Sequence, residues 1–301
     1  MSEIHLKEYG LEPNKATRDA YAQMERMLHP SKSDKEFFGN DPLGDRMKAI
    51  EAESTKLKPN SDHPIIVGRL DGNRFSKFTR GLKKPYDQRL TDLMRDTGLH
   101  IMKVCDAKVV YHQSDEISVV LYSPDPKHEL YFGGRYQKLN SILAGVASAF
   151  FTKNLPNYLP EKADCMAVFD ARFFEVDSLK TATEMLYWRE LDAVRNSMLC
   201  AAQTVYSHKQ MWGKNQKELL QMLQDKGIDY DAYPNSYRRG SYYTKTLVEK
   251  PYSIEELSNL PEKHAARTNP ELKVFRKVVT ELRFPFEYRL EERQAVFFPE
   301  N

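Results

Sequence analysis

The sequence predicts an α+β fold with the element order β-α-β-β-α-β, and three observations support it. Short β-branched runs alternate with stretches of helical period. The segment 111–120, YHQSDEISVV, folds back on itself around Ser114, Asp115 and Glu116. The first apolar run ends in an Asp71-Gly72 turn signal. Taken in order, PIIVGRL (64–70) is a short apolar run bounded by Pro64 and that turn, which reads as a buried strand. Residues 87–104 place Leu90, Met94, Ile101 and Val104 on one stripe with charges between them, which predicts a helix. KVVYHQ and ISVVLY (117–122) then form a hairpin with the acidic pair at its turn. A second helix over 135–154 turns Leu139, Ile142, Val146 and Phe150 inward, and CMAVFDARFF supplies a fourth strand. Beyond it come helical patterns over 181–207, over 214–226 as far as Gly227, and over 15–29 and 253–259, while the last forty residues favour neither helix nor strand.

In this split βαβ arrangement the third strand inserts between the first two and runs against both. The C-terminal end of the first strand and the turn between the second and third then share one edge of the sheet. Asp71 and Asp115, far apart in sequence, should meet there.

At 301 residues and 41% hydrophobic composition the chain can bury one large core or two modest ones. Its 45 basic and 43 acidic residues nearly cancel, so a nucleic-acid site would have to be a local patch. The cysteines, Cys105, Cys165 and Cys200, are odd in number and match no zinc or disulfide spacing, which fits a reducing cytoplasm. ILAGVASAFF is about half the length that a membrane span requires, so no membrane partner is expected.

Carboxylates converging on one edge repel one another unless a cation sits among them, and oxygen ligands select hard ions. Mg²⁺ binds through one or two carboxylates plus substrate phosphates, and a pair of ions roughly 3.5–4 Å apart serves phosphoryl transfer. Asp115, Glu116 and Asp71 also suit plain turn formation, and that alternative stands at this point. Two further features favour a phosphate site. Between residues 69 and 84, Arg69, Arg74, Lys77, Arg80, Lys83 and Lys84 face a single acid, Asp71. Arg135 and Lys138 open the second helix, where cations oppose the dipole and call for an anionic partner. Gly72 has no side chain to keep a metal or phosphate from its backbone. His112 beside the turn reads as either a base or a packed strand histidine, and Trp188 as either a stacking platform or core. Arg238 and Arg239, between Tyr237 and Tyr242, suggest an RNA-contacting loop or a solvated hairpin.

RLDGNRFSKF, KKPYD, HQSDEISVV, RYQKL, FDARFFEV, YWRELDAVRNS and YRRGSYY occur in an order that resembles the tRNA-histidine guanylyltransferase family, closest to its bacterial guanylyltransferase-like branch. The resemblance covers residues 60 to about 245. It implies a polymerase-type palm, a ferredoxin-like βαββαβ antiparallel sheet with added helices. A catalytic domain would occupy 60–250, between an N-terminal helical extension (1–59) and a C-terminal extension (251–301). The implied activity is nucleotide addition in the 3′-5′ direction at a tRNA 5′ end, with two Mg²⁺ ions and with ATP, GTP or other nucleoside triphosphates as substrates.

Carried over, Asp71, the Gly72 carbonyl and Asp115 look like metal ligands supported by Glu116. Asp71, Gly72, Asn73, Arg74, Phe75, Ser76, Ser114 and Asp115 look like the nucleotide-contacting segments. Lys84, Asp87, Arg135 and Lys138 match positions that handle triphosphate or the RNA 5′ end. Arg189, Arg195 and Asn196 fall in the RNA-associated motif, and a cytoplasmic homotetramer is implied. Eukaryotic members carry a histidine where this chain has Val194 and a second asparagine where it has Ser197. That departure favours template-dependent repair of truncated tRNA 5′ ends over strict addition of one guanosine to tRNA-histidine. A nucleotidyl cyclase on the same palm and a non-catalytic RNA recognition module are the remaining alternatives.

Overall fold

The computed structural model describes residues 58–125, 127–269, 271–285 and 289–299. The helix expected over 15–29, and with it nearly all of the 1–59 extension, lies outside the described residues. Strands β1 (Ile65–Gly72), β2 (Val109–Gln113), β3 (Glu116–Leu121), β4 (Phe169–Val176), β5 (Ser241–Pro251) and β6 (Lys273–Leu282) form one sheet in the order β4-β1-β3-β2-β5-β6. Every neighbouring pair is antiparallel. The third strand lies between the first two, as the split arrangement requires.

β2 and β3 are buried along their whole length, which explains why they read as continuous β-branched runs. On one face lie helices α1 (Gln88–Cys105) and α2 (Tyr136–Tyr158), packed against Ile66, Leu70, Val110, Ile117 and Val119. The other face carries α3 (Leu179–Ala202) and the C-terminal helix α5 (Leu290–Phe297), over Val67, Val109, Tyr111 and Val120. A third cluster joins the C-terminal half of α3 to α4 (Gln216–Asp225), which stops at Gly227 with φ 70°. No helix among the described residues is long and apolar enough to cross a membrane.

The structure departs from the sequence reading in two ways. Strands β5 and β6 extend the sheet beyond the four strands expected, and Lys58–Asn301 form a single compact unit. β6, within the range expected as a C-terminal extension, pairs with β5 in this sheet. β6 is an edge strand with most of its residues exposed, so it leaves little hydrophobic pattern in the sequence. Second, the buried stripe of α2 is Leu139, Leu143, Ala147, Phe151 and Leu155, one position on from the predicted one, and Ile142 is exposed. That helix is apolar around most of its circumference, so periodicity alone cannot select its face. On α1, Leu93, Met94, Ile101 and Met102 are fully buried, whereas Leu90 and Val104 are only partly so.

His112 is buried in β2, its ring 5.9 Å from that of Tyr243 and its Nδ1 without a hydrogen-bond partner. Burial depresses its pKa from 6.5 to about 4, with Arg95 nearby adding to the effect. A histidine held neutral in this way makes no charged contact with substrate. Because the unfolded chain takes up the proton first, stability is full above pH 6.5 and falls as pH drops towards about 4. The loss amounts to about 3 kcal/mol. Urea denaturation at pH 4.5 and pH 7 should show that His112→Phe flattens this slope.

Candidate active site at the carboxylate edge of the sheet

Asp71 is the penultimate residue of β1, directly opposite Glu116 on β3 and Asp170 on β4. The Gly72 amide donates to the Asp115 carbonyl at 3.0 Å, so the hairpin turn is stitched to the end of β1. The two segments expected to converge are thus held together by the sheet ladder. Gly72 is required by packing: a Cβ there would lie 2.4 Å from the Phe75 ring. Phe75 itself is almost fully buried among Phe78, Phe151 and Phe169. Its ring turns the chain back, aided by Arg74 in the left-handed region at φ 58° and by the Asn73 amide bonded to the Val168 carbonyl at 2.8 Å. Asn73, Arg74 and Ser76 stay exposed around this anchor.

Burial is the main force raising the Asp71 carboxyl above its usual 3.8. Asp170 adds to the rise, while Arg69, Arg172 and Arg189 oppose it. Asp115 is raised too, first by burial and then by Asp71. Two carboxylates that hinder each other's ionisation in this way suit a hard divalent cation, which needs one or two such ligands. Glu116 does not join them. Its oxygens accept from Arg189 Nε at 2.7 Å and from an Arg189 terminal nitrogen at 2.6 Å, with Ser118 Oγ at 3.3 Å, and the pair is nearly buried. Among the described residues no three His, Cys, Asp or Glu side chains are placed to hold a metal ion. The donor set is therefore two carboxylates, with Glu116 withdrawn to an internal ion pair.

A cleft of about 410 Å³ adjoins this edge, lined by Ser76, Lys83, Lys84, Ser114 and Asp115 on one side and by Asn196, Cys200 and Tyr237 on the other. Ser114 adopts φ 49°, the left-handed turn that sets Asp115 at the cleft floor. Tyr86 stacks on Tyr237 at 4.8 Å between centroids and closes one wall. Both tyrosines lie inside motifs, KKPYD and YRRGSYY, that do not signal a shared cleft, and helical spacing does not reveal that Cys200 on α3 faces it.

Several expected site residues have other engagements. Asp87 lines the cleft and also caps α1 through the Arg89 amide at 3.1 Å, and the Arg89 guanidinium holds its carboxyl below the usual range. Arg135 donates to the Phe132 carbonyl at 3.0 Å, and Lys138 lies 5.4 Å from the Phe132 ring centroid. A Cβ at the adjacent Gly134 would lie 2.8 Å from Ile66, at the start of β1. Five residues of strand, roughly 16 Å, separate that end from Asp71, so Arg135 and Lys138 do not converge with the carboxylates within one chain.

Of the residues expected at RNA, Arg195 and Asn196 are exposed on α3, with Asn196 also bonded to Asp192 at 3.2 Å. Arg189 turns inward to Glu116 and Asp192. Arg239 donates to Glu190 at 2.6 Å and to the Phe284 carbonyl at 3.0 Å, and Arg238 binds Asp231 and Asn235. These three arginines hold elements of the chain together.

The family model of tRNAHis guanylyltransferase (Thg1) matches residues 44–177. A bacterial tRNA(His) guanylyltransferase (Thg1)-like protein in complex with ATP is similar at 32% identity and a TM-score of 0.62, over 68% of this chain and 87% of that one. A second such structure, in complex with GTP, is similar at 29% identity and a TM-score of 0.56, over 68% and 86% of the two chains. An uncharacterized protein, R259, of Acanthamoeba polyphaga mimivirus is 32% identical over 235 residues, which are 70% of this chain and 79% of that protein.

Proposed function

Since the chain belongs to the tRNAHis guanylyltransferase family of nucleotidyltransferases, we propose that it adds nucleotides in the 3′-5′ direction to tRNA 5′ ends, repairing truncated ends against the opposite strand. The observation that carries this reading is the pair Asp71 and Asp115, brought to one sheet edge by the bond from the Gly72 amide to the Asp115 carbonyl, with Asp115 lining a cleft that Lys83 and Lys84 also line. The cleft is large enough for a nucleoside triphosphate.

In the proposed reaction the RNA 5′ end is first activated, by adenylylation with ATP when it is a monophosphate, or is already a triphosphate. The 3′-hydroxyl of the incoming nucleotide forms a new bond to the 5′-terminal phosphorus, and AMP or pyrophosphate leaves. Asp71 and Asp115 would hold Mg²⁺, which supplies a lowered hydroxyl pKa and charge compensation for the leaving group. Lys84 presents an exposed point charge to the phosphates. Tyr86 and Tyr237 form an aromatic wall against which a base can stack. Arg189 holds Glu116 in an ion pair turned away from the edge, leaving it to the other two carboxylates.

Two observations favour templated repair over guanosine addition restricted to tRNA-histidine. Val194 packs against the cluster between α3 and α4, and the Ser197 hydroxyl pairs with the Tyr230 hydroxyl at 2.6 Å. Neither position offers a polar group to an RNA. An RNA recognition module needs an open sheet face for stacking bases, and here α3 and α5 cover the face that α1 and α2 leave free.

Purified protein with Mg²⁺, ATP and a tRNA transcript lacking its first nucleotide should yield products extended by the base that pairs with the opposite strand, read by 5′-end sequencing. Extension by guanosine alone whatever the opposing base would replace repair with guanosine addition. A cyclic product formed from nucleotide alone would indicate a cyclase.

A further inference from the structure

β6 is the outer strand of the sheet, and among the described residues no strand pairs with its far edge. Proteins blunt such edges with proline, a bulge or a very short strand. β6 has none of the three: its ten residues contain no proline and pair one-to-one with β5 from Tyr242↔Leu282 to Pro251↔Lys273. β2 meets β5 only as far as Thr244, so from Lys245 onwards β5 and β6 run on as a two-stranded ribbon. Alternation puts Phe275, Lys277, Val279 and Glu281 on one face of it together with Leu247 of β5. This is the α1 face, since Lys245 reaches the Met102 carbonyl from it at 3.2 Å. On the opposite face Arg276 pairs with Glu256 of the short helix Ile254–Asn259 at 2.5 Å. Phe275 is 68% exposed, Leu247 65% and Val279 44%. A long unbroken edge beside exposed apolar side chains is a template for another strand. Its charged residues are the remaining safeguard, and their order decides what can pair with it.

A second copy of the chain can add its own β6 antiparallel, about a two-fold axis perpendicular to the sheet. Each face then stays on its own side, the axis passes through one residue, and residues equally far from it stand opposed. With the axis at Arg276 or Lys277, that charge faces its own copy. With it at Val278, Phe275 faces Glu281 and Lys277 faces Val279, and with it at Thr280, Lys277 faces Arg283. Only the axis at Val279, of these five, opposes like with like in polarity and opposite with opposite in charge: Val279 faces Val279, Val278 faces Thr280, and Lys277 faces Glu281 twice. Within one chain both charges are held loosely, Lys277 at 3.9 Å from Asp106 and Glu281 at 3.7 Å from Arg283 and 3.3 Å from Ser241 Oγ. We infer that β6 is a self-association edge, at which two copies of the chain pair β6 to β6 with Val279 on the axis and continue one sheet through both. The edge lies four strands, roughly 19 Å, from β1 and its Asp71, so association and nucleotide addition stand or fall separately.

Sedimentation velocity over a concentration series tests this on the full chain with wild type, Lys277→Glu and Glu281→Lys, each first shown to unfold at the wild-type temperature. Wild type should self-associate, and either substitution should raise the dissociation constant at least about tenfold, because each sets two like-charged pairs across the interface. Mixed in equal amounts, the two variants should associate again to within about twofold of wild type, since every opposed pair in the mixed dimer is then of opposite sign. A folding defect in either chain is not cured by mixing. Under mild oxidation Val279→Cys should form a disulfide-linked dimer, because the axis sets that position against itself within disulfide range. Wild type and Lys273→Cys are the controls. Lys273 stands six residues from the axis, roughly 40 Å from its counterpart, and should not link. A monomeric wild type, association indifferent to both charge changes, a mixture that stays dissociated, or Lys273→Cys linking as readily as Val279→Cys would each overturn the pairing.

Discussion

Asp115→Ala is expected to lower nucleotide addition on the order of 10³-fold, equivalent to about 4 kcal/mol of barrier, while the chain remains folded. The side chain sits in a turn at the cleft floor and makes no packing contribution to the three core clusters. Its removal should also relieve strain in the absence of metal. Burial raises both Asp71 and Asp115 above 3.8, and each has a carboxylate neighbour that raises it further. The folded chain therefore binds protons that the unfolded chain has already released. Stability from these groups is greatest at low pH and declines as pH rises through the raised values. At pH 7 without metal, Asp115→Asn should melt above wild type, and the difference should vanish below pH 3.8. Added Mg²⁺ should reverse the order, since only the wild type gains binding energy in the folded state. Thermal melts with Mg²⁺ and with chelator check this independently of activity. Wild-type addition by Asp115→Ala, or a melting temperature indifferent to Mg²⁺, would remove the carboxylate pair from the reaction.

Glu190→Ala is expected to cost on the order of 3–5 kcal/mol of stability, the range for stripping a buried charge of its partner. Glu190 is 2% exposed and accepts from Arg239 at 2.6 Å, from the fully buried Arg293 at 2.6 Å and from the Tyr242 hydroxyl at 2.9 Å. One carboxylate thus joins α3, the segment leading into β5, and α5. Without it the two guanidinium groups would lose the carboxylate they share. For a unit of this size the melting temperature should fall about 10 °C. Glu190→Gln keeps the shape and one hydrogen-bond acceptor, so it should fall less. The same helix carries Asn196 and Cys200 into the nucleotide cleft, so Glu190→Ala should raise the KM for ATP before the fold is lost. Equal melting of wild type and variant would show that the network carries no net stability.

The local chemistry of this chain is readable residue by residue. β-branched runs flanking Ser114, Asp115 and Glu116 suggest a hairpin, and Asp71-Gly72 signals the end of a strand. The meeting of these two points follows from element order, because an inserted third strand forces it. The faces of long helices were less legible. Leu139 and Leu143, not Ile142 and Val146, point inward on α2, because an apolar helix has several plausible faces and only its neighbours choose one.

What the sequence determined by itself was therefore the succession of elements, the split sheet and the two carboxylates at its edge, all of which rest on interactions between residues close in the chain or on connectivity. Tertiary structure alone decided where each charge is compensated. Glu116 pairs with Arg189, Gly134 beside Arg135 lies near Ile66 at the start of β1, and β5 and β6 finish the sheet. The physical reason is range. Periodicity and turn chemistry act over a few residues, whereas the partner of a buried ion is set by whichever distant helix packs against it, and a charge in the sequence carries no mark of that choice.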